Sequence, residues 1–399
     1  MVVLDTETKK KLIVFIEPKP TVYNYRIARS LKLTGKYKTI LVSFSGVDKE
    51  FYGKAYDEIK TLQLSHKLRL KDLFDLSRKA LRGEIKKFFK EINKMTPYLF
   101  QITGPDFFSL MSLHLLRKNP ALKIYYANDL WGADQRNFFF TKNFWIKGEM
   151  QKFFEKLCFK RIDGILSKMS LEEFELLHYS MHVPRIILPR CGLDEWMFPP
   201  KQKKNKEIHI VYAGSPNPLG NEKISMMDVV KIITSQGIYF HTYGSSLNKK
   251  ENQTFIDEAK RNEYYFNHEK VTPSELNKEL SQYDYGIFPE FIEQSKVDSN
   301  PTMATTQLAS KLINYVESGL PILVNSQMAY MTKIVETNNI GWGIAPEDLE
   351  NFGKVLRKTN YSQLQKNLKK FQMEFKLSKK IMHVEAFYEK LWETKKINS

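Results

Sequence analysis

Apolar residues in this chain come in short unbroken runs, not in strict alternation. KKKLIVFIEPKP (9–20) is the first such run, closed by two prolines. A run of this kind suits a strand buried on both faces of a parallel sheet. YNYRIARSLKLTGKY reads as a helix stopped at Gly35, and KTILVSFSG (38–46) as a second strand. Residues 67–94 read as a long helix with Leu70, Leu73, Phe74, Leu81, Ile85, Phe88 and Ile92 on one stripe. PYLFQITGPD (97–106), KIYYANDLWG (123–132) and DGILSKMS (163–170) read as further strands with helical segments between them. PPKQKKNKE (199–207) interrupts the series with two prolines, four lysines and no large apolar residue, and reads as a linker. A second series follows: IHIVYAGSP (208–216), a helix near 222–236, GIYFHTYGSS (237–246), a short helix, and EYYFNHEKVTPSEL (263–276). YDYGIFPE (283–290), SKLINYVESGLPILV (310–324) and a helix-rich tail complete it. Strands alternating with helices predict an α/β fold: two units, each a mostly parallel sheet covered on both faces.

Composition changes this picture little. With 399 residues the chain is comfortable for two domains, and 42% hydrophobic and 27% charged residues are ordinary for a globular protein. Its two cysteines, Cys158 and Cys191, show no metal-ligand spacing, so a reduced setting is expected. MVVLDTETKK has no apolar signal core, and LIVFI (12–16) is far too short to span a bilayer. A cytoplasmic chain is therefore expected.

Charge adds more. The net charge is +17, and residues 1–200 carry 35 Lys and Arg against 22 Asp and Glu, while residues 201–399 carry 27 against 23. A basic first half suits an anionic partner, although a lysine-rich solvated surface has the same signature. No helix-turn-helix, zinc or single-strand-binding motif supports nucleic acid as that partner.

In open parallel sheets, ligands gather beyond the carboxyl ends of the strands. Candidate loops are Gly214-Ser215-Pro216, the turn at Gly244, and Pro289-Glu290 leading towards the helix that begins at Ser310. That helix has an odd make-up. At about 100° per residue, Lys311, Asn314, Tyr315 and Ser318 share one face, while Leu312, Ile313 and Val316 cover another. An unpaired buried lysine or amide is costly, so this face needs solvent or a polar ligand; a phosphate near Lys311 and sugar hydroxyls near Asn314 would serve. Gly319 suits a left-handed helix stop, and Pro321 fixes the entry to the strand PILV.

SKLINYVESGLPILV resembles the donor-site helix of GT-B glycosyltransferases, in which a lysine-led helix ends in Gly-x-Pro before a strand. ILSKMSLEEFELL followed by RIILPRCGLDEWMF (185–198), with Pro189, Gly192, Asp194 and Phe198, resembles the end of the first domain in the group that includes many retaining enzymes. IHIVYAGS, SELNKELSQYDYGIFPE and HVEAFYEKLWE (383–393) resemble, in order, the first donor-domain strand, the segment leading to the donor pocket and the last helix. The likeness is continuous over roughly 160–345.

The resemblance implies two facing Rossmann-like domains: an acceptor domain (1–198), a linker (199–207), a donor domain (208–375) and a last helix (376–399) returning to the first domain. It implies a nucleotide-sugar donor, UDP- or GDP-type, as substrate, with no cofactor and no metal site; the chain has no Asp-x-Asp. The donor set it implies is Gly214, Ser215, Lys223, Tyr243, Gly244, Pro289, Glu290, Thr306 (with Thr305), Ser310, Lys311, Asn314 and Glu317. Lysines and helix N-termini in this fold meet the charge on the leaving diphosphate. Three family residues are missing. Asn314 stands where many relatives have a ribose-binding glutamate, Ser215-Pro216-Asn217 where an arginine is common, and no histidine occurs in 101–106. Retention and inversion therefore both stay open.

An inverting enzyme needs a general base. Asp129 is the first candidate, with Asp106 and Glu17 next, all beyond strand ends. The eight histidines show no ligand spacing. NFFFTKNFWIKGEMQKFFEKLCFK (137–160) carries Phe138, Phe139, Phe140, Phe144 and Trp145 among lysines, which suits either a packed helix or the headgroup layer of an anionic membrane. The expected function is transfer of a sugar to a saccharide or lipid-linked acceptor at the membrane surface. Alternatives are a non-catalytic GT-B subunit binding a partner or glycan, and a nucleotide-sugar epimerase.

Overall fold

The computed structural model describes residues 10–63, 79–103, 107–127, 153–167, 183–188, 191–201, 207–214, 224–245, 253–293 and 308–398. These fall into two units. One is formed by the described residues up to 188 together with those from Lys380 onward, the other by those from Cys191 to Lys379.

In the first unit the elements are β1 (Lys11–Glu17), α1 (Val22–Leu33), β2 (Tyr37–Ser43), α2 (Lys49–Tyr52), β3 (Glu58–Thr61) and α3 (Lys79–Lys94). Then come β4 (Leu99–Thr103), α4 (Phe107–Leu115), β5 (Leu122–Ala127), β6 (Gly164–Ser167) and β7 (Arg185–Ile187). All pairs are parallel, in the order β3-β2-β1-β4-β5-β6-β7. The apolar runs do what such runs require: Ile13 to Ile16 are fully buried, and one core joins Val14, Ile16, Phe100 and Ile102 to Ile85, Phe89 and Ile92 of α3. In α3 the stripe therefore includes Phe89, with Phe88 packed at its margin.

The second unit holds β8 (His209–Ala213), α5 (Met226–Thr234), β9 (Tyr239–Ser245), α6 (Gln253–Arg261), β10 (Tyr265–Glu269) and α7 (Pro273–Leu280). It continues with β11 (Tyr285–Phe288), α8 (Ser310–Glu317), β12 (Ile322–Asn325), α9 (Ala329–Thr337), β13 (Gly341–Ile344), α10 (Phe352–Lys358) and α11 (Tyr361–Phe375). Its order, β10-β9-β8-β11-β12-β13, is again entirely parallel. Both sheets thus reverse direction once, between β1 and β4 and between β8 and β11. These are the topological switch points, where the two flanking loops part and leave room for a ligand. The expectation of an α/β fold with a parallel sheet holds for each unit.

The last helix, α12 (Leu377–Asn398), begins in the second unit, and from Lys380 onward it belongs to the first. There Glu385 pairs with Lys36 and Glu389 with Lys11, both at 3.1 Å, Lys395 pairs with Asp163 at 2.9 Å, and Tyr388 donates to Gln101 Oε1 at 2.7 Å. Three short strands, β3, β7 and β13, were not legible from apolar runs. Each has three or four residues, and β3 and β7 are only half-buried edges. Among the described residues, no helix is long and apolar enough to cross a membrane.

Candidate active site

At the switch point of the second unit, β8 ends in Tyr212, Ala213 and Gly214, and β11 runs out through Phe288 into Pro289 and Glu290. Helix α8 brings Lys311 between them. Its Nζ lies 3.1 Å from Glu290 Oε1 and 4.9 Å from the ring centres of both Tyr212 and Phe288. The Tyr212 hydroxyl donates to the same carboxylate oxygen. The side chains of Lys311 and Glu290 are 21% and 18% exposed, enough to meet a ligand but too little for full hydration.

Local sequence explains this placement. A Cβ on residue 214 would come within 2.4 Å of Lys311 Cε, so the lysine crosses the end of β8 only because Gly214 has none. Gly286 does the same for Tyr315, whose ring would lie 2.3 Å from an added Cβ. Tyr315 is fully buried; its hydroxyl donates to Ile287 O at 2.7 Å and accepts from Ala213 N at 2.9 Å. Helix α8 is thereby pinned to both strands that border the switch point. It ends at Gly319, which has φ +72° as its helix-stop role requires. Ala309, at its start, offers no side-chain cap, and its first turn holds no acidic residue; Leu312 N donates to Ala309 O at 3.2 Å. Asn325 Nδ2 donates to Glu290 O at 2.6 Å, and Gln327 brackets Ile292 through both its N and its O.

The predicted polar face of α8 therefore divides. Lys311 and Asn314 are half-buried and Ser310 is exposed, whereas Tyr315 and Ser318 are buried parts of the frame. Gly214, Pro289, Glu290 and Lys311 lie together at this switch point, and Asn314 lies one turn along the same helix. Glu317 is not among them. It is fully buried, accepting from Leu193 N and from Asn277 Nδ2, each at 2.8 Å. Tyr243 sits at the end of β9 beside Gly244; it is buried, its hydroxyl lies 2.6 Å from that of Tyr283, and its ring stacks on His268. Ser215, Lys223 and Thr306 lie outside the described residues, as do Asp106, Asp129 and the aromatic group Phe138, Phe139, Phe140, Phe144 and Trp145.

Glu17, the third base candidate, ends β1 at the switch point of the first unit, but its surroundings are closed. It is 0% exposed. One carboxylate oxygen accepts from Thr21 N at 2.8 Å and Thr21 Oγ1 at 2.9 Å, and the other from the Tyr56 hydroxyl at 3.4 Å. Beside it Gln101 donates to Asn24 Oδ1 at 2.7 Å, and Asn24 donates to Thr103. Burial pushes the Glu17 carboxyl up to about 7, against the pull of those hydrogen bonds. As it stands, this carboxylate shapes the β1–α1 turn; accepting a proton from a substrate would require it to leave these partners.

Sequence spacing also missed a row of imidazoles. His209 Nδ1 lies 3.0 Å from His241 Nε2, and His241 Nδ1 lies 3.0 Å from His268 Nε2. The three stand on β8, β9 and β10. Distance along the chain hides them, but each occupies a same-face position once the parallel register is known. Burial and the neighbouring imidazoles push His241 down to about 3. Among the described residues, no group of three or more His, Cys, Asp or Glu side chains is arranged to hold a metal ion.

Residues 210–382 match the family model "Glucosyltransferase 3-like, C-terminal domain". No curated protein matches the chain in sequence. Among solved structures, the chain is similar to the pneumococcal O-GlcNAc transferase GtfA in complex with UDP and GlcNAc (TM-score 0.63, 10% identity, covering 96% of this chain and 99% of that one). It is also similar to a variant of TarM from S. aureus in complex with Fondaparinux, alpha-GlcNAc-glycerol and UDP (TM-score 0.62, 10% identity, 96% and 99% covered). A putative UDP-N-acetylglucosamine 2-epimerase from Listeria monocytogenes has the same architecture (TM-score 0.56, 12% identity, 90% and 91% covered). At these identities the likeness concerns the fold. The chain has the two-unit, parallel-sheet fold of GT-B glycosyltransferases, and residues 210–382 are similar to a glucosyltransferase 3-like C-terminal domain.

Proposed function

We propose that this chain is a glycosyltransferase that moves a sugar from a nucleotide-diphosphate donor to a saccharide or lipid-linked acceptor. The observation that carries this reading is the position of Lys311. It stands at the switch point of the second unit, in the first turn of α8, within the segment that matches a glucosyltransferase domain. In transfer, the bond from the anomeric carbon to the diphosphate oxygen breaks, the acceptor hydroxyl oxygen bonds to that carbon in its place, and the hydroxyl proton passes to the leaving diphosphate or to solvent. Negative charge then builds on the leaving diphosphate. Lys311 and the first amides of α8 meet that charge, so the reading assigns neutralisation to the chain and not to a metal. Asn314, one turn along, is positioned for sugar hydroxyls. UDP is the first nucleotide to test, because the GtfA and TarM complexes contain it.

For the acceptor, exposed Lys86, Lys87, Lys90 and Lys94 on α3 support docking at an anionic membrane surface, as does Phe153, 57% exposed near Lys156 and Lys160. Flotation with anionic liposomes, lost at high salt, checks that part. A second reading, a non-catalytic subunit, is favoured by one observation: Lys311 already has a carboxylate partner within the chain. Incubation with UDP- and GDP-sugars decides among these. Release of nucleoside diphosphate that is lost in Lys311→Ala supports transfer. Donor-induced thermal stabilisation without turnover supports the binding subunit, and conversion to an epimeric nucleotide-sugar supports the epimerase.

A further inference from the structure

The Lys311–Glu290 pair poses an electrostatic problem for any diphosphate site. The cation that would hold phosphate is 3.1 Å from a carboxylate, and the residue that bears this carboxylate is anchored through both its side chain and its backbone. Tyr212 donates to its Oε1, Asn325 holds the residue's own carbonyl at 2.6 Å, and the Gln327 side chain brackets Ile292 two residues on. With its backbone anchored and its carboxylate tied to both Tyr212 and Lys311, Glu290 stays beside the lysine. An anion that reaches Lys311 therefore meets Glu290 as well.

The two nucleotides that visit such a site differ in what they bring to that carboxylate. An intact donor ends in a phosphodiester bearing a sugar, whose hydroxyls donate hydrogen bonds. The spent nucleoside diphosphate ends in a terminal phosphate that carries more negative charge and no hydroxyl donor at neutral pH. The carboxylate is a good acceptor for the first and a like-charge neighbour for the second.

We infer that Glu290 is a specificity residue that makes this site favour the sugar-bearing donor over its nucleoside diphosphate product, and so promotes product release. The inference rests on the proposed donor role of Lys311 and adds to it a selection among that site's own ligands. Lys311 attracts both nucleotides, and Glu290 raises the free energy of the product complex relative to the donor complex. A site built of Lys311 alone would hold the more highly charged product tighter and stall after each turnover.

The test is calorimetric titration of the full-length chain and of Glu290→Gln with UDP, UDP-glucose, GDP and GDP-mannose at about pH 7.5. Glutamine keeps the shape and an oxygen for Tyr212 but removes the charge. The expected result is that the variant binds the nucleoside diphosphate about tenfold tighter relative to its sugar nucleotide than wild type does. Tyr212→Phe, which leaves the charge in place and frees it from the phenol, is expected to move the same ratio the opposite way, by about fivefold. A ratio unchanged within threefold in whichever of these variants folds, in a chain whose wild type binds both ligands, overturns the role of Glu290 and leaves the donor site standing. Wild-type protein that binds none of the four nucleotides overturns the donor site itself, and this inference with it.

Discussion

The two units share a strand order and a single reversal, yet they fill the reversal in opposite ways. In the first, the space between β1 and β4 is closed by Glu17, Asn24, Gln101 and Thr103, all buried and bonded to one another or to the adjoining turn. In the second, the space between β8 and β11 holds a half-buried cation and carboxylate resting on two glycine-lined strands. Topology designates a place for a ligand; side chains decide whether that place is spent on the protein's own turn or left for another molecule. The buried titratable centres differ as well: a carboxylate held up to about 7 in one unit, an imidazole held down to about 3 in the other.

That contrast predicts opposite responses to pH. His241 resists protonation in the folded second unit, whereas an unfolded histidine takes a proton near 6.5. Folded stability is therefore complete above that pH and is lost as pH falls, by about 3 kcal/mol between about pH 6.5 and 4.5. Amide exchange of β9 and β10 against pH should show the slope, and His241→Phe should flatten it. Glu17 behaves in reverse, because its folded form holds the proton more tightly than the unfolded chain, which releases it near 4.5. Stability of the first unit is lost as pH rises from 4.5 to about 7 and is level beyond. The loss is about 3 kcal/mol, and Glu17→Gln should remove it, leaving β1 and α1 better protected at about pH 8. Slopes of the same sign in both units would break the comparison.

Two smaller effects sharpen it. Lys311→Ala is expected to weaken binding of a nucleotide-sugar by about 2 kcal/mol, a loss typical of charge-assisted contacts, with no change in amide protection of the first unit. Tyr315→Phe keeps the ring over Gly286 but leaves the N–H of Ala213 and the carbonyl of Ile287 short of a partner. It should lower the stability of the second unit by about 1 kcal/mol, read as a shift in its denaturant midpoint.

Much of the architecture was legible in the residues. LIVFI, TILVS and PILV are strands because continuous β-branched and aliphatic runs have no other way to hide both faces. Lys311 could be singled out because a cation on a short helix between buried strands has few ways to be satisfied. The hidden parts depend on pairings that no local window contains. Tyr315 looked polar until its hydroxyl was seen to bridge two strands, and Glu317, which the resemblance put in the donor set, is enclosed by Leu193 and Asn277. Tyr212 and Asn325 read as ordinary strand residues, because what distinguishes them is the carboxylate they hold. The histidines, 32 and 27 positions apart, meet only through strand register.

That row of imidazoles carries a directional property. Each neutral ring owns a single hydrogen, and both nitrogens of His241 face another ring, so the row has only two self-consistent proton orders. In one, every hydrogen points from β10 towards β8, which presents an N–H of His209 to Glu207, 3.7 Å away. In the other, every hydrogen points back towards β10. Reversal requires all three rings to change tautomer in concert. Whatever neutralises Glu207 beside the inner strand β8 thus biases which nitrogen of His268, two strands away on the edge strand β10, carries its hydrogen beside the hydroxyl of Tyr283.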